Sequence, residues 1–291
     1  MDITVLGALA VRVNGVSITP TAPKPRQVLA LLALHADQVV PVSALTEELW
    51  AGKPPRSART TLQTYVLQLR AMISTALGGG EGAETADGTG GADGAGRGPV
   101  RTAKDVLVTL PGGYLLDSGG AASDIREFDR LAGMGYRAMD AGDFPGAARL
   151  LREALALWQG PAFADVQGGA QLEMETRRLE ESRLCALDQR IDADIRLGRH
   201  RELLAELTVL ASRYRTHENL HGQFMLALHR SGRRGEALDV YQRLRATLVR
   251  EQGLEPSTAL RALQRSILMA GPEHPVKPAP DATDTRLARV G

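Results

Sequence analysis

The sequence has few of the features that extracellular or membrane proteins need. Its one cysteine, Cys185, excludes an intramolecular disulfide, and we expect it to be a buried thiol on a helix. Aromatic residues make up 4%, so the cores must consist mainly of Leu, Val, Ile and Ala. There is no apolar run of about 18 residues, and no basic segment followed by an apolar run near Met1. We therefore expect no membrane span, no signal peptide and a cytoplasmic location.

The usual catalytic motifs are also missing. The sequence has no G-x-x-x-x-G-K-[ST] loop, no G-x-S-x-G and no C-x-x-C, so we expect no enzyme activity, no cofactor and no metal. The segment from His217 to His221 is a literal H-E-x-x-H, which on a helix could bind zinc with Glu218 as general base. A zinc hydrolase is therefore an alternative. We interpret the match as coincidence, because no third ligand follows and the apolar stripe continues through Leu220.

Two segments have a composition that cannot form a core. Residues 78–98 are dominated by Gly, Ala, Asp and Glu, and residues 271–291 are rich in proline. Such segments bury too little apolar surface to offset the entropy lost on ordering. We predict a disordered, acidic insert at 78–98 and a disordered tail at 271–291.

The first 117 residues alternate between strand and helix patterns. Apolar residues alternate over 1–18, and Asn14-Gly15 is typical of a tight hairpin turn. Three helical patterns follow: one over 25–36, a short one that we expect Ser43 to cap, and one from Ser57 to about Leu77. A second hairpin turns at Pro111-Gly112-Gly113. Three strands, three helices and a hairpin wing predict a winged helix-turn-helix domain over 1–117.

Residues 123–270 are helical in pattern throughout. Gly198 and Gly232 each precede a similar segment, and their spacing of 232 − 198 = 34 residues is the tetratricopeptide period. Gly142 begins a third segment of the same kind. The sequence therefore predicts a mainly α protein, in which the winged helix is followed by an all-α tetratricopeptide-like domain.

Positive charge is concentrated in the first domain. Without residues 78–98, residues 1–116 have nine Lys and Arg against five Asp and Glu, whereas 117–271 has 22 of each. The polar side of the third helix has side chains that can bond base edges, namely Arg59, Thr60, Gln63, Thr64 and Gln68. We expect contacts to phosphates or through the wing from Lys24, Arg26, Arg56, Arg70, Arg101 and Lys104. Trp50 and Trp158 are expected to be core residues.

Several segments resemble the Streptomyces antibiotic regulatory protein (SARP) family, over about 3–270. The clearest are Ser57-Ala58-Arg59-Thr60-Thr61-Leu62-Gln63-Thr64-Tyr65-Val66, Gly112-Gly113-Tyr114, Ala154-Leu155-Ala156-Leu157-Trp158-Gln159-Gly160-Pro161 and Leu226-Ala227-Leu228-His229-Arg230-Ser231-Gly232-Arg233. The resemblance implies an OmpR-type winged helix, of the kind that serves as a two-component effector domain, and a bacterial transcriptional activation domain.

The resemblance also implies a function. Such a protein would be a nucleoid-associated activator of an antibiotic biosynthetic gene cluster, binding promoter direct repeats in double-stranded DNA as a dimer and recruiting RNA polymerase. The loop with Lys53, Pro54 and Pro55 would face the polymerase. The alternative is a tetratricopeptide adaptor that binds proteins and not DNA.

Overall fold

The computed structural model describes residues 1–78, 101–120 and 123–269. The chain divides into two compact units, a first unit from Met1 to Ala193 and a second unit that begins at Asp194. The predicted mainly α fold is confirmed, with small antiparallel sheets near the start of the chain and helices afterwards. Within the described ranges, no helix combines the length and the apolar character that a membrane crossing requires. Apart from Gly78, the predicted insert lies outside the described residues, as does the predicted tail.

The chain begins with a three-stranded antiparallel sheet, as predicted. Its strands are β1 (Asp2–Thr4), β2 (Ala10–Val13) and β3 (Val16–Ser17), paired in that order. Between β2 and β3, Asn14 and Gly15 have φ angles of 51° and 79°. A type I′ turn requires positive φ at both central residues, and Asn-Gly adopts this conformation readily. The pair therefore predicted the hairpin correctly.

Three helices follow, and they pack through apolar stripes. They are α1 (Pro23–Leu34), α2 (Val42–Trp50) and α3 (Ala58–Gly78). The prediction that Ser43 caps α2 is wrong. The helix begins at Val42, two residues earlier than a cap at Ser43 would require, and its N-cap is Pro41, which has an extended backbone (φ −63°, ψ 147°) and makes no side-chain capping bond.

A second sheet contains the wing and one strand that the sequence did not reveal. Strands β5 (Leu107–Leu110) and β6 (Gly113–Leu116) form the predicted hairpin, and β4 (Val39–Pro41) pairs with β6. A short helix, α4 (Ala103–Val106), precedes β5. A Cβ on Gly113 would lie 2.6 Å from the Val40 carbonyl oxygen, so only glycine allows β4 to approach this closely.

The rest of the first unit is helical and shares one core with the winged helix. Helices α5 (Asp124–Asp140) and α6 (Phe144–Ala156) pack against each other, and α7 (Ala170–Arg196) is the longest helix among the described residues. Trp158 is buried, as predicted, and contacts Phe128 edge-to-face with ring centroids 5.5 Å apart. The core contains residues from both sides of 117–123, where the sequence predicts the boundary between the two domains. That boundary stays a prediction.

Polar contacts join the N-terminal segment to the helices of the first unit. The Asp124 carboxylate accepts the backbone N–H groups of Val5 and Leu6, at 2.7 and 2.8 Å. Burial raises the pKa of this carboxyl group, and the backbone donors act in the opposite direction. Backbone bonds from Gln159 to Leu6 and from Phe163 to Val5 add to this contact.

A buried carboxylate links the winged helix to the start of α7. Glu48, on α2, is only 2% exposed, and it accepts the backbone N–H groups of Gly169, Gln171 and Leu172. A negative group at this position complements the partial positive charge at a helix N-terminus. A Cβ on Gly169 would lie 2.2 Å from the Glu48 carbonyl oxygen, so glycine is needed for the close approach.

The second unit contains the end of α7 together with α8 (His200–Arg213), α9 (Glu218–Arg230), α10 (Arg234–Gln252) and α11 (Thr258–Met269).

The predicted glycine turns are of one type, because Gly142, Gly198 and Gly232 all have φ between 76° and 80°. In each turn, the residue after glycine donates its N–H to the carbonyl five positions back, which is the Schellman pattern. The three bonds are Asp143 to Ala138, Arg199 to Asp194 and Arg233 to Leu228.

The expectation of a buried cysteine is wrong. Cys185 lies on α7 and is exposed, whereas its neighbour Ala186 is buried. The predicted helix around the cysteine is confirmed, but the thiol lies on the solvent side of that helix.

Candidate nucleic-acid interface

Helix α3 has one buried side and one exposed side along its length. The buried side consists of Ala58, Leu62, Val66, Leu69, Ile73 and Ala76, each 8% exposed or less. These residues recur at spacings of three and four, as expected for a helix that packs one face on a core. The opposite side is thus free to contact another molecule.

The structure places all five predicted base-contacting residues on the exposed side. These are Arg59, Thr60, Gln63, Thr64 and Gln68. The Thr64 hydroxyl donates to the Thr60 carbonyl oxygen at 3.1 Å. Arginine, glutamine and threonine together offer donors, acceptors and a methyl group, the groups that distinguish base pairs in a major groove.

Sequence reasoning missed one member of this face. Leu67 is 63% exposed and lies among the polar residues of the same side, between Gln63 and Gln68 in the sequence. An exposed leucine in a polar face can contact a thymine methyl group. The signal was available, because Leu67 does not fit the spacing of the buried stripe formed by Leu62, Val66 and Leu69.

Two residues expected to contact phosphates, Arg70 and Arg101, have hydrogen-bond partners within the protein. Arg70 Nε and Nη2 donate to the Leu107 carbonyl oxygen at 3.0 and 2.6 Å, and Nη2 also donates to the Thr109 hydroxyl. Arg70 therefore joins α3 to the wing strand β5. Arg101 Nη2 donates to the Asp117 carbonyl oxygen at 2.8 Å and pairs with the Asp117 carboxylate. Both side chains thus have partners within the protein, and their contacts to phosphates stay a prediction.

The two basic residues of α1 also have internal partners. Lys24 Nζ donates to the Leu49 carbonyl oxygen at 2.7 Å, near the C-terminus of α2, where a positive charge is favourable. Arg26 forms a salt bridge with Asp165, and the same carboxylate accepts the Leu9 N–H. These contacts join α1 to α2 and to the segment before α7, and phosphate contacts by Lys24 and Arg26 stay a prediction.

The remaining predicted contact residues are exposed. Arg56 lies just before α3 and Lys104 lies on α4, so both side chains are accessible. The loop between α2 and α3 is exposed throughout, including Lys53, Pro54 and Pro55. It begins at Ala51 and Gly52, whose φ angles of 48° and 77° end α2 abruptly.

The H-E-x-x-H segment has a packing role. Helix α9 begins at Glu218, so His217 is its N-cap, and the His217 Nδ1 atom accepts the Leu220 N–H. Glu218 accepts the Ser257 N–H at 2.7 Å, and His221 is buried with its Nδ1 3.1 Å from the His217 carbonyl oxygen. Across the residues that the structure describes, no three His, Cys, Asp or Glu side chains are grouped closely enough to hold a metal ion.

Comparison with protein families gives two matches along the chain. Residues 17–90 match the family "Transcriptional regulatory protein, C terminal", which overlaps the winged helix. Residues 123–268 match the "Bacterial transcriptional activator domain", about half of the chain. The two matches follow each other in the order that the sequence patterns predicted.

Individual relatives agree with these matches. The chain is 50% identical over 272 residues to the regulatory protein DnrI of Streptomyces peucetius, covering 94% of this chain and 93% of DnrI. It is 32% identical to the transcriptional regulatory protein MoaR1 of Mycobacterium tuberculosis, covering 92% of this chain and 79% of MoaR1.

A solved structure of Mycobacterium tuberculosis EmbR, in complex with a low-affinity phosphopeptide, is similar with a TM-score of 0.76 and 31% identity. The match covers 92% of this chain and 64% of the EmbR chain. The domain order, the long match to DnrI and this structural likeness together show that the chain belongs to the SARP family of transcriptional regulators.

Proposed function

We propose that this regulator activates an antibiotic biosynthetic gene cluster by binding direct repeats in the promoter, with α3 in the major groove. The observation that carries the proposal is the exposed side of α3, where Arg59, Gln63 and their neighbours face solvent along a helix whose other side is buried. A major groove admits one α-helix, and side chains on its outer face then reach the base edges.

Phosphate contacts in this proposal come chiefly from Arg56 and Lys104. Both are exposed, at the N-terminus of α3 and beside the wing, where a duplex held by α3 would pass close to them. Contacts of this kind release counterions, so binding should weaken steeply as salt is added.

Recruitment of RNA polymerase is the second part of the proposal. The exposed loop with Lys53, Pro54 and Pro55 is short and contains two prolines, which restrict its backbone. A stiff, protruding loop loses little entropy on binding, which suits it to a protein contact. We further propose that two protomers occupy adjacent repeats as a dimer on DNA.

The test is a footprint and a gel shift on the DNA upstream of the neighbouring genes. Gln63→Ala should cost about 1–3 kcal/mol on the protected sequence, roughly a 5- to 150-fold loss of affinity, because a base contact is removed. Binding to unrelated DNA should be unchanged. Ser74→Ala, about three turns further along the same helix, is the matched control and should bind as the unaltered protein does. A duplex that the protein does not protect at any repeat, or an equal loss of affinity by Gln63→Ala on the protected and the unrelated DNA, would contradict the proposal.

A further inference from the structure

We propose that the second unit contains a binding site for a small organic anion, in a cleft formed by α8, α9 and α10. The cleft has a volume of about 650 Å³ and lies wholly within the second unit. Sites for small molecules usually have volumes of about 300–1,000 Å³, so the size is suitable. The inference goes beyond DNA binding, since none of the α3 residues takes part.

The floor of the cleft is apolar and well packed. It consists of Phe224 from α9 with Val240 and Leu244 from α10, which are 8%, 2% and 1% exposed. Two small residues, Ala211 and Ala246, lie at its sides and leave room above this floor. An aromatic or aliphatic body could therefore leave water and rest on the apolar surface.

The walls carry positive charge without a matching number of acids. Arg215, Arg243 and Arg250 line the cleft, and none of the described residues that line it is acidic. The nearby Glu251 carboxylate pairs with Arg215 at 3.2 Å and with Arg250 at 3.0 Å, so one acid serves two arginines. Arg243 makes no hydrogen bond or salt bridge to any described residue, and it is exposed at the cleft.

These features specify the chemical class of the ligand. A guanidinium group binds a carboxylate, phosphate or sulfonate through two parallel bonds, and Arg243 has these donors free. Hydroxyl groups of Thr208, Ser212 and Thr247 add neutral hydrogen-bonding groups around it. The apolar floor favours a compact anion with a hydrophobic body over a nucleic acid, whose phosphates would use the arginines alone.

The test is a fluorescence titration of the whole chain with 8-anilinonaphthalene-1-sulfonate, an aromatic sulfonate that brightens in an apolar site. We expect saturable binding that Arg243→Gln weakens about tenfold, because one charge-assisted pair is lost. The matched control is Arg245→Gln on the same helix, since Arg245 pairs with Glu255 and does not line the cleft. Ala246→Phe, at an exposed lining position, should fill the cleft and abolish this binding.

Competition then identifies the ligand chemistry. Benzoate and phenyl phosphate should displace the dye, whereas inorganic phosphate at the same concentration should not, because it lacks an apolar body. Displacement by inorganic phosphate or by a DNA duplex as effectively as by benzoate would overturn the assignment. So would equal dye affinity of the Arg243→Gln, Ala246→Phe and unaltered proteins.

Discussion

Among the single residues of the exposed α3 face, Leu67 has an effect that can be separated from hydrogen bonding. It has no polar group, so any contribution to sequence preference must come from apolar contact. We expect Leu67→Ala to lower the preference for sites with a thymine beneath this position by about 1 kcal/mol, roughly fivefold. Gel shifts measure the effect on two duplexes, one with thymine at this position and one with uracil, which lacks the methyl group. Equal loss on both DNAs would show that the methyl contact is absent.

Stability measurements can decide whether Arg70 acts mainly by joining α3 to β5 or by contacting a phosphate. Because its guanidinium holds the Leu107 carbonyl oxygen and the Thr109 hydroxyl, Arg70→Ala should lower the free energy of unfolding by about 1–3 kcal/mol. Urea denaturation measures this change. Arg12→Ala, on the exposed side of β2 in the same unit, should have no comparable effect. Weaker DNA binding by Arg70→Ala at unchanged stability would instead favour the phosphate contact.

His221 gives the second unit a predictable response to pH. Burial lowers the pKa of its imidazole below 6.5, although the hydrogen bond to the His217 carbonyl acts in the opposite direction. The unfolded chain therefore binds a proton more readily than the folded one. The free energy of unfolding should fall as the pH drops below 6.5 towards the pKa of His221 in the folded protein. Above pH 6.5, the contribution of His221 to this free energy should be constant.

Urea midpoints at pH 7.5 and pH 5.5 test this response. His221→Gln should reduce the difference between the two midpoints, whereas His35→Gln, the same replacement in the first unit, should retain it. An unchanged pH difference in His221→Gln would rule out this histidine as its source.

At the scale of secondary structure elements, most hydrogen bonds between α2 and the start of α7 are made by the Glu48 carboxylate, and Gln171 adds one to the Ala44 carbonyl oxygen. Glu48→Gln keeps an acceptor but removes the charge that faces the α7 N-terminus, so we expect a loss of about 1–3 kcal/mol in the free energy of unfolding. Glu47→Gln is the matched control, since Glu47 is exposed on the same helix. Thermal or urea unfolding compares the two variants. Equal stability of both would show that the buried charge contributes nothing.

The elements that could be predicted are those whose own residues carry the signal. Asn14-Gly15 and the three glycine turns specify their backbone conformation locally, so hairpin and helix pairs follow from the sequence. Strand β4 could not be predicted, because Val39–Pro41 becomes a strand by pairing with β6, more than seventy residues later.

The candidate interface also has a part that could be predicted from the sequence and a part that could not. The exposed side of α3 follows from helical periodicity, and all five predicted base-contacting residues lie on it. The partners of Lys24, Arg26 and Arg70 are distant in sequence, so a count of basic residues could not separate surface charges from internal bonds. The Arg243 cleft was missed for a related reason, since its lining comes from three helices.

For the whole molecule, the shared core of α3 with α5–α7 has a consequence for promoter architecture. Since Glu48, Asp124 and Asp165 join other parts of the winged helix to α5, to the start of α7 and to the segment before it within one unit, bound DNA would carry the first part of the activator domain at a fixed rotational phase. Inserting about 5 bp between the repeats and the RNA polymerase site would turn the complex to the opposite side of the duplex, whereas about 10 bp would restore its side. Reporter expression should therefore rise and fall with insertion length at the period of the double helix, and a smooth decline with length would indicate a swivelling attachment instead.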